Sequence, residues 1–244
     1  MEPKDAVAAT EALGALAEAI KDCRRCGLCE GRTQVVFGVG SATADLVFIG
    51  EGPGYHEDRL GEPFVGQAGK LLTELLAGIG LTRADVYIAN VVKCRPPENR
   101  DPLPDEIEAC SPHLMDQLAV IRPRVVCTLG RFATRLLADT ELSITAVHGK
   151  AKDVTLAGLK TTVFPVFHPA AALYTPSNRK VLEEDFAKLR RLLTEDSAGE
   201  PQGGEGPSTG PADDEDAGAD RVQGAAGGGV FRPDTHVERQ LPLW

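Results

Sequence analysis

Leu46-Val47-Phe48-Ile49-Gly50-Glu51-Gly52-Pro53-Gly54, running on through Tyr55-His56-Glu57-Asp58-Arg59-Leu60-Gly61-Glu62-Pro63-Phe64-Val65-Gly66-Gln67-Ala68-Gly69, is the stretch that decides the fold. Leu46 to Ile49 is a short apolar run suited to a strand covered on both faces, and Gln67 to Ile79 carries apolar residues at helical spacing. A strand, a glycine-rich loop and then a helix put the loop at the C-terminal edge of a parallel sheet. Ligands of open α/β sheets bind along that edge, and glycine lets backbone approach a ligand closely. The acids and the single Phe64 in this loop therefore read as the mouth of an active site rather than as a plain surface turn.

Working outward, strands are expected at Leu46–Ile49, Val86–Val92, Val125–Leu129 and Thr162–Phe167. Helices are expected at Glu11–Lys21, Gln67–Ile79, Pro104–Ile121, Arg131–Ala138 and Asn178–Leu193, with Pro104-Asp105-Glu106 suited to a first turn. Ile144 to Lys160 reads as a β-hairpin excursion bending near Gly149. This alternation predicts a three-layer α/β/α sandwich around a mainly parallel four-stranded sheet.

The chain of 244 residues, 42% of them hydrophobic, can bury a substantial core. No run approaches the roughly 20 apolar residues of a membrane span, and Met1 to Asp5 lacks the layout of a secretory signal, so no membrane partner and a cytoplasmic location are expected. The formal charge of −10 is unevenly spread. Ten acidic and three basic residues lie between Asp196 and Trp244, which leaves residues 1–195 near neutral and able to carry a local basic face. We divide the chain into a domain at 1–195, an acidic Gly/Pro-rich linker at 196–236 and a terminal peptide at 237–244. The linker has too few large apolar side chains to offset its ordering entropy and is expected to stay disordered.

Six cysteines in such a chain suit metal ligation or core filling better than disulfides. Cys23 and Cys26 form a Cys-x2-Cys pair before the first strand, Cys94 follows the second strand, and Cys110 comes 15 intervening residues later. Such a set suits zinc or an iron–sulfur cluster. The lack of a second tight pair favours the cluster. Cys29 extends the first pair, whereas Cys127 lies in the apolar run Val125 to Leu129 and reads as a core thiol.

Two more segments reach the same sheet edge. Asn90 is a polar amide among apolar neighbours, and a buried amide without a partner costs about 1–3 kcal/mol, so the protein or a ligand must satisfy it. The cationic loop Lys93-Cys94-Arg95-Pro96-Pro97-Glu98-Asn99-Arg100 follows, suited to meeting phosphates. His168 stands at the end of the last strand.

Gly50-Glu51-Gly52-Pro53-Gly54, Pro63-Phe64-Val65-Gly66-x-Ala68-Gly69, Tyr87-Ile88-x-Asn90-x-Val92-Lys93-Cys94-Arg95-Pro96-Pro97-x-Asn99-Arg100 and His168-Pro169 together resemble the family 4 uracil-DNA glycosylases, the iron–sulfur type of bacteria and archaea. The resemblance runs from about Cys23 to Leu193. It implies a uracil-DNA glycosylase-like fold, a [4Fe–4S] cluster on Cys23, Cys26, Cys94 and Cys110, and a monomeric, monofunctional enzyme that hydrolyses the N-glycosidic bond of a flipped deoxyuridine in single- or double-stranded DNA, starting base excision repair near the nucleoid. It further implies that Asn90 reads the base edge, Phe64 stacks on the base, the Gly52 amide lies near it, His168 hydrogen-bonds the leaving O2, and Glu51, Glu57 and Asn99 orient water or steady the sugar cation. Family members commonly have a non-cysteine at Cys29, which argues against its being a ligand. Arg100 and Arg179 are the candidate phosphate contacts and Leu173 the candidate wedge. Tyr55-His56 depart from the family, which often has acidic residues there. The loop from Pro97 to Pro102 is short and lacks the insertion of related covalently trapping proteins, so turnover is expected.

The end of the chain, Gln240-Leu241-Pro242-Leu243-Trp244, resembles the peptides that dock on the bacterial sliding clamp, with Gln240, Leu241, Leu243 and Trp244 as anchors. Two other readings compete: a noncatalytic uracil-DNA or clamp-associated binder, and a different iron–sulfur nucleotide-binding α/β enzyme. Gly50-x-Gly52-x-Gly54 lacks the dinucleotide fingerprint's spacing.

Overall fold

A computed structural model describes residues 4–195. The linker at 196–236 and the clamp-like peptide at 237–244 lie outside the described residues. Six strands form one sheet: β1 (Val39–Gly40), β2 (Leu46–Gly50), β3 (Tyr87–Asn90), β4 (Val125–Leu129), β5 (Lys152–Leu156) and β6 (Leu159–Val166), in the order β1-β3-β2-β4-β6-β5. The central four, β3-β2-β4-β6, are parallel, and β1 and β5 pair antiparallel at the two edges. The parallel core matches the four expected strands. The expected count of four is corrected to six.

Both additions have physical reasons for escaping notice. β1 is two residues long, and its Gly40 packs so closely on β3 that a Cβ there would lie 1.9 Å from the Val86 carbonyl oxygen. β5 alternates polar and apolar residues and is largely exposed. The hairpin it makes with β6 bends at Ala157-Gly158, both at positive φ (49° and 76°), and not near Gly149. Residues Ile144–Val147 form a helical turn (α6) rather than strand, and the Gly149 amide donates to the Pro165 carbonyl at 2.8 Å.

The remaining helices are α1 (Ala6–Ile20), α2 (Tyr55–Leu60), α3 (Gln67–Gly78), α4 (Pro104–Ile121), α5 (Arg131–Ala138), α7 (Pro169–Tyr174) and α8 (Pro176–Glu195). Asp5 caps α1 by accepting from the amides of Val7 and Ala8. At α4, Pro104 opens the helix and the Glu106 carboxylate accepts from the Leu103 amide at 2.8 Å.

Because strand side chains alternate, β2 feeds two cores. Val47 and Ile49 pack with Leu13 of α1, Leu114 and Leu118 of α4 and Leu137 of α5. Leu46 and Phe48 pack with Leu72 and Leu76 of α3 and Phe186 and Leu189 of α8, where Phe48 and Phe186 stack at 5.7 Å. Helices thus cover both faces of the sheet, and the loops at the C-terminal ends of β2, β3 and β6 share one edge.

Candidate active site

The site begins with register. Gly50 ends β2 opposite Asn90, which ends β3. A Cβ on Gly50 would lie 2.5 Å from the Asn90 Oδ1 and 2.7 Å from the Phe64 ring, so the glycine is what lets an amide and an aromatic face the same small space. Asn90 is 2% exposed, and among the described residues its Oδ1 has no hydrogen-bond partner. It is a buried acceptor awaiting a donor.

The end of β3 is held rigidly from behind. Lys93, fully buried, donates from Nζ to the Asn90 carbonyl at 2.9 Å and to Gln117 Oε1, and Gln117 in turn donates to the Tyr87 hydroxyl and the Phe37 carbonyl. Burial pushes the Lys93 ammonium down to about 8.

Phe64 adopts a left-handed conformation, φ 55°, that a bulky side chain keeps only when its surroundings impose it. Three constraints do so. Arg83 donates to the carbonyls of Pro63 (2.8 Å) and Phe64 (3.2 Å), Glu57 Oε1 accepts from the amides of Val65 (3.0 Å) and Gly66 (2.9 Å), and Gly69 lies so near that a Cβ would be 1.7 Å from the Phe64 carbonyl oxygen. Glu57 thereby shapes the Phe64 loop.

His168 caps α7. Its Nδ1 accepts from the Ala170 amide at 3.2 Å, which leaves the proton of the neutral ring on Nε2 as a donor. Burial lowers its titration to about 4, with the Glu57 charge opposing. Its ring lies 5.5 Å from that of Phe64, tilted by 30°. Glu51 follows β2 directly, and burial, reinforced by Asp101 and opposed by Arg131, pushes its carboxyl up to about 7. Gly52 has no room for a side chain, since a Cβ would meet Val92 Cγ2 at 2.7 Å. Asn99 Oδ1 accepts from Arg95 Nε at 2.7 Å.

The candidate DNA contacts divide. Leu173 on α7 is exposed, as a wedge requires, and so is its neighbour Tyr174. Arg100 is forked onto Glu106 at 2.6 and 2.8 Å, and Arg179 pairs with Glu74 and Glu183, each at 3.0 Å. Both guanidiniums are committed to carboxylates.

A second, small cavity is lined by Cys23, Cys26, Cys94, Cys110 and His113 together with Arg32 and Lys93. The segment after α1, the loop after β3 and helix α4 bring these four thiols together, whereas Cys29 is not among the lining residues and Cys127 is buried within β4. Donors already point at the sulfurs: Arg32 Nη1 lies 3.4 Å from Cys94 Sγ and the Lys93 amide 3.2 Å from Cys110 Sγ. Cys23 Sγ lies 3.6 Å from His113 Nε2.

Residues 37–192 match the profile of the Uracil DNA glycosylase superfamily. The chain is 51% identical over 186 residues to a type-4 uracil-DNA glycosylase of Archaeoglobus fulgidus, covering 75% of this chain and 94% of that protein. It is 50% identical to one from Saccharolobus solfataricus (75% and 87% covered) and 46% identical to one from Thermotoga maritima (75% and 95% covered). The chain belongs to the type-4 uracil-DNA glycosylase family.

The family is the one its sequence motifs resemble. What the sequence did not assign is the support of this site: Arg83, which holds the Phe64 loop, and Arg32 and His113 at the cysteine cavity, while Lys93, read in the motif as part of a phosphate-facing cationic loop, is instead buried and holds Asn90. Lys93 carries one readable signal, a lysine abutting the apolar run Tyr87 to Val92. Arg83 and Arg32 carry none, because their carbonyl and sulfur partners are distant in sequence.

Proposed function

We infer that the protein removes uracil from DNA by hydrolysing the N-glycosidic bond, and that it initiates base excision repair. The observation that carries this reading is the buried, unpartnered Asn90 Oδ1 beside the Phe64 ring and the neutral His168. Uracil presents an N3–H donor next to its O4 acceptor, which an amide complements, while cytosine presents the reverse at both atoms. A pocket of this kind rejects the wrong base by leaving buried polar groups unpaired. The base must leave the duplex to reach it, and Phe64 supplies a face for stacking.

Breaking the C1′–N1 bond sends its electron pair into the uracil ring and leaves positive charge on the sugar; a water oxygen then bonds to C1′ and gives up a proton to solvent, and the departing uracil anion takes one from solvent. His168 donates from Nε2 to the developing O2 anion while remaining neutral. Glu51, which titrates at about 7, supplies negative charge near the sugar. Glu57 acts as a positioning residue through Val65 and Gly66, and Asn99 helps set the cationic loop. Gly52 cannot carry a water-activating side chain, so stabilisation of leaving group and sugar does most of the work.

The four cysteines at the second cavity hold a [4Fe–4S] cluster. In support, the four cysteines come from three separate segments of the chain and line one cavity together. N–H donors on Cys94 and Cys110 suit thiolate ligands, whereas without a metal burial pushes the Cys94 thiol up to about 11. The cluster supplies a structural tie between the N-terminal segment, the β3 loop and α4.

The protein works as a cytoplasmic, nucleoid-associated monomer on single- or double-stranded DNA, with Leu173 as the wedge. Gln240, Leu241, Leu243 and Trp244 dock on the sliding clamp, a reading supported by their resemblance to clamp-binding peptides and by their apolar character beside an acidic segment. No described helix is long and apolar enough to cross a membrane. Incubation with a uracil-containing oligonucleotide should yield free uracil, with strand scission only after alkali. Scission without alkali would refute the monofunctional assignment.

A further inference from the structure

Helix α2 presents an exposed aromatic with two arginines over it. Tyr55 is 48% exposed, the Arg59 guanidinium carbon lies 5.6 Å from its ring centroid and that of Arg95 5.2 Å, and Arg59 Nη1 donates to the Tyr55 hydroxyl at 2.9 Å. Among the described residues neither arginine takes part in an ion pair. This sets them apart from Arg100, Arg131 and Arg179, each of which meets a carboxylate. Their place is the rim of the proposed base pocket: Tyr55 follows the Gly50 to Gly54 loop, and Arg95 holds Asn99 through Nε. Side-chain entropy opposes holding a long cation still, and a ring beneath it lowers that cost.

We propose that Tyr55, Arg59 and Arg95 form a clamp for a phosphodiester of the substrate strand, with the tyrosine preorganising the two guanidiniums and the guanidiniums neutralising the backbone next to the flipped nucleotide. Arginine's planar fork suits phosphate oxygens. The clamp takes the role that sequence alone suggested for Arg100 and Arg179, whose charge is already met within the protein. His56 packs edge-on against Tyr55 with ring centroids 5.4 Å apart, which adds a second aromatic ring to this rim.

The proposal rests on the glycosylase reading, and the test separates the two. Binding of the full chain is measured against salt with a single-stranded oligonucleotide containing 2′-fluoro-deoxyuridine, whose fluorine destabilises the sugar cation and prevents cleavage, and with the same strand lacking uracil. Removing one cation that neutralises a phosphate lowers the slope of log K against log salt by about 0.7 for a single strand. Arg59→Ala lowers the slope by that amount on both strands, the Arg59→Ala/Arg95→Ala pair by about twice as much, and Tyr55→Ala also lowers it. Arg59→Lys, which keeps the charge, and Arg179→Ala leave it unchanged. Slopes equal to wild type in Arg59→Ala and Tyr55→Ala would overturn the clamp, as would an equal loss in Arg59→Lys. Failure of the wild type to release uracil from an ordinary deoxyuridine strand would overturn the enzymatic reading, while the slopes would still report on the clamp.

Discussion

Asn90→Leu should make the free protein more stable and nearly inactive. In the wild type Oδ1 is buried with no partner among the described residues, and such an acceptor forfeits about 1–3 kcal/mol relative to one that is paired. Leucine matches the shape of asparagine and places apolar atoms against the Phe64 ring, so the substitution removes the penalty without opening a cavity. We expect a gain of about 1–2 kcal/mol, or about 2–4 °C in melting temperature per kcal/mol for a domain of this size. In the complex the balance reverses. Uracil would bury N3–H and O4 against hydrocarbon at about 1–3 kcal/mol each, lowering kcat/KM by roughly 10²- to 10⁴-fold. Urea titration of both proteins at matched iron content gives the first quantity, and steady-state uracil release gives the second. A variant less stable than wild type by 1 kcal/mol or more would show that the amide is satisfied within the protein, and the reasoning would fail.

Other expectations follow from the same geometry. The Glu51 carboxyl titrates at about 7 against an ordinary 4.5, so its charged form grows as pH rises through 7. The rate should climb up to about tenfold per pH unit below 7 and level above it, and Glu51→Gln should flatten that limb. Because folding raises this acid's titration, Glu51 costs stability as pH rises from about 4.5 to 7, and Glu51→Gln should gain stability over wild type at pH 8 but not at pH 4. His168 shifts the other way, from 6.5 to about 4, so the stability linked to its neutral form is complete above 6.5 and lost as pH falls toward 4, and it should add no limb to the rate above pH 5. Cys94→Ser and Cys110→Ser should lose iron and visible absorbance, while Cys29→Ser and Cys127→Ala should retain both; loss of iron in Cys29→Ser would revise the ligand set. Gly69→Ala pushes a methyl to 1.7 Å from the Phe64 carbonyl oxygen, so the loop must move and KM should rise about tenfold or more; an unchanged KM would mean that Phe64 is not the stacking face.

The parallel core was legible because its strands are continuous apolar runs, as buried parallel strands must be. The edges were not. β1 is too short to show a period, and in the β5–β6 hairpin two glycines, Gly149 and Gly158, competed for the bend, both at positive φ. Helix α2 escaped because Tyr55-His56-Glu57-Asp58-Arg59-Leu60 has no apolar stripe and only Asp58 is buried, where it accepts from the Thr33 amide. Among the candidate site residues, Asn90, Phe64 and His168 could be proposed from residue type and place, and the structure brings them together at one edge. Their supports could not be, since Arg83 reaches back 19 and 20 residues to its carbonyls and Gln117 reaches 80 residues to Phe37. The commitment of Arg179 to Glu74, 105 residues away, is likewise a tertiary fact that no local pattern announces.

The central claim is that Asn90 and His168 together select uracil and receive its charge. Single-turnover release of uracil from a single-stranded oligonucleotide, with metal chelator present, tests it most directly in wild type, Asn90→Asp and His168→Ala. The account predicts rapid alkali-labile product from the wild type and losses of about 10²-fold or more in each variant, with His168→Ala still binding the strand. Equal rates in all three, or tight binding by the wild type with no abasic product, would contradict it.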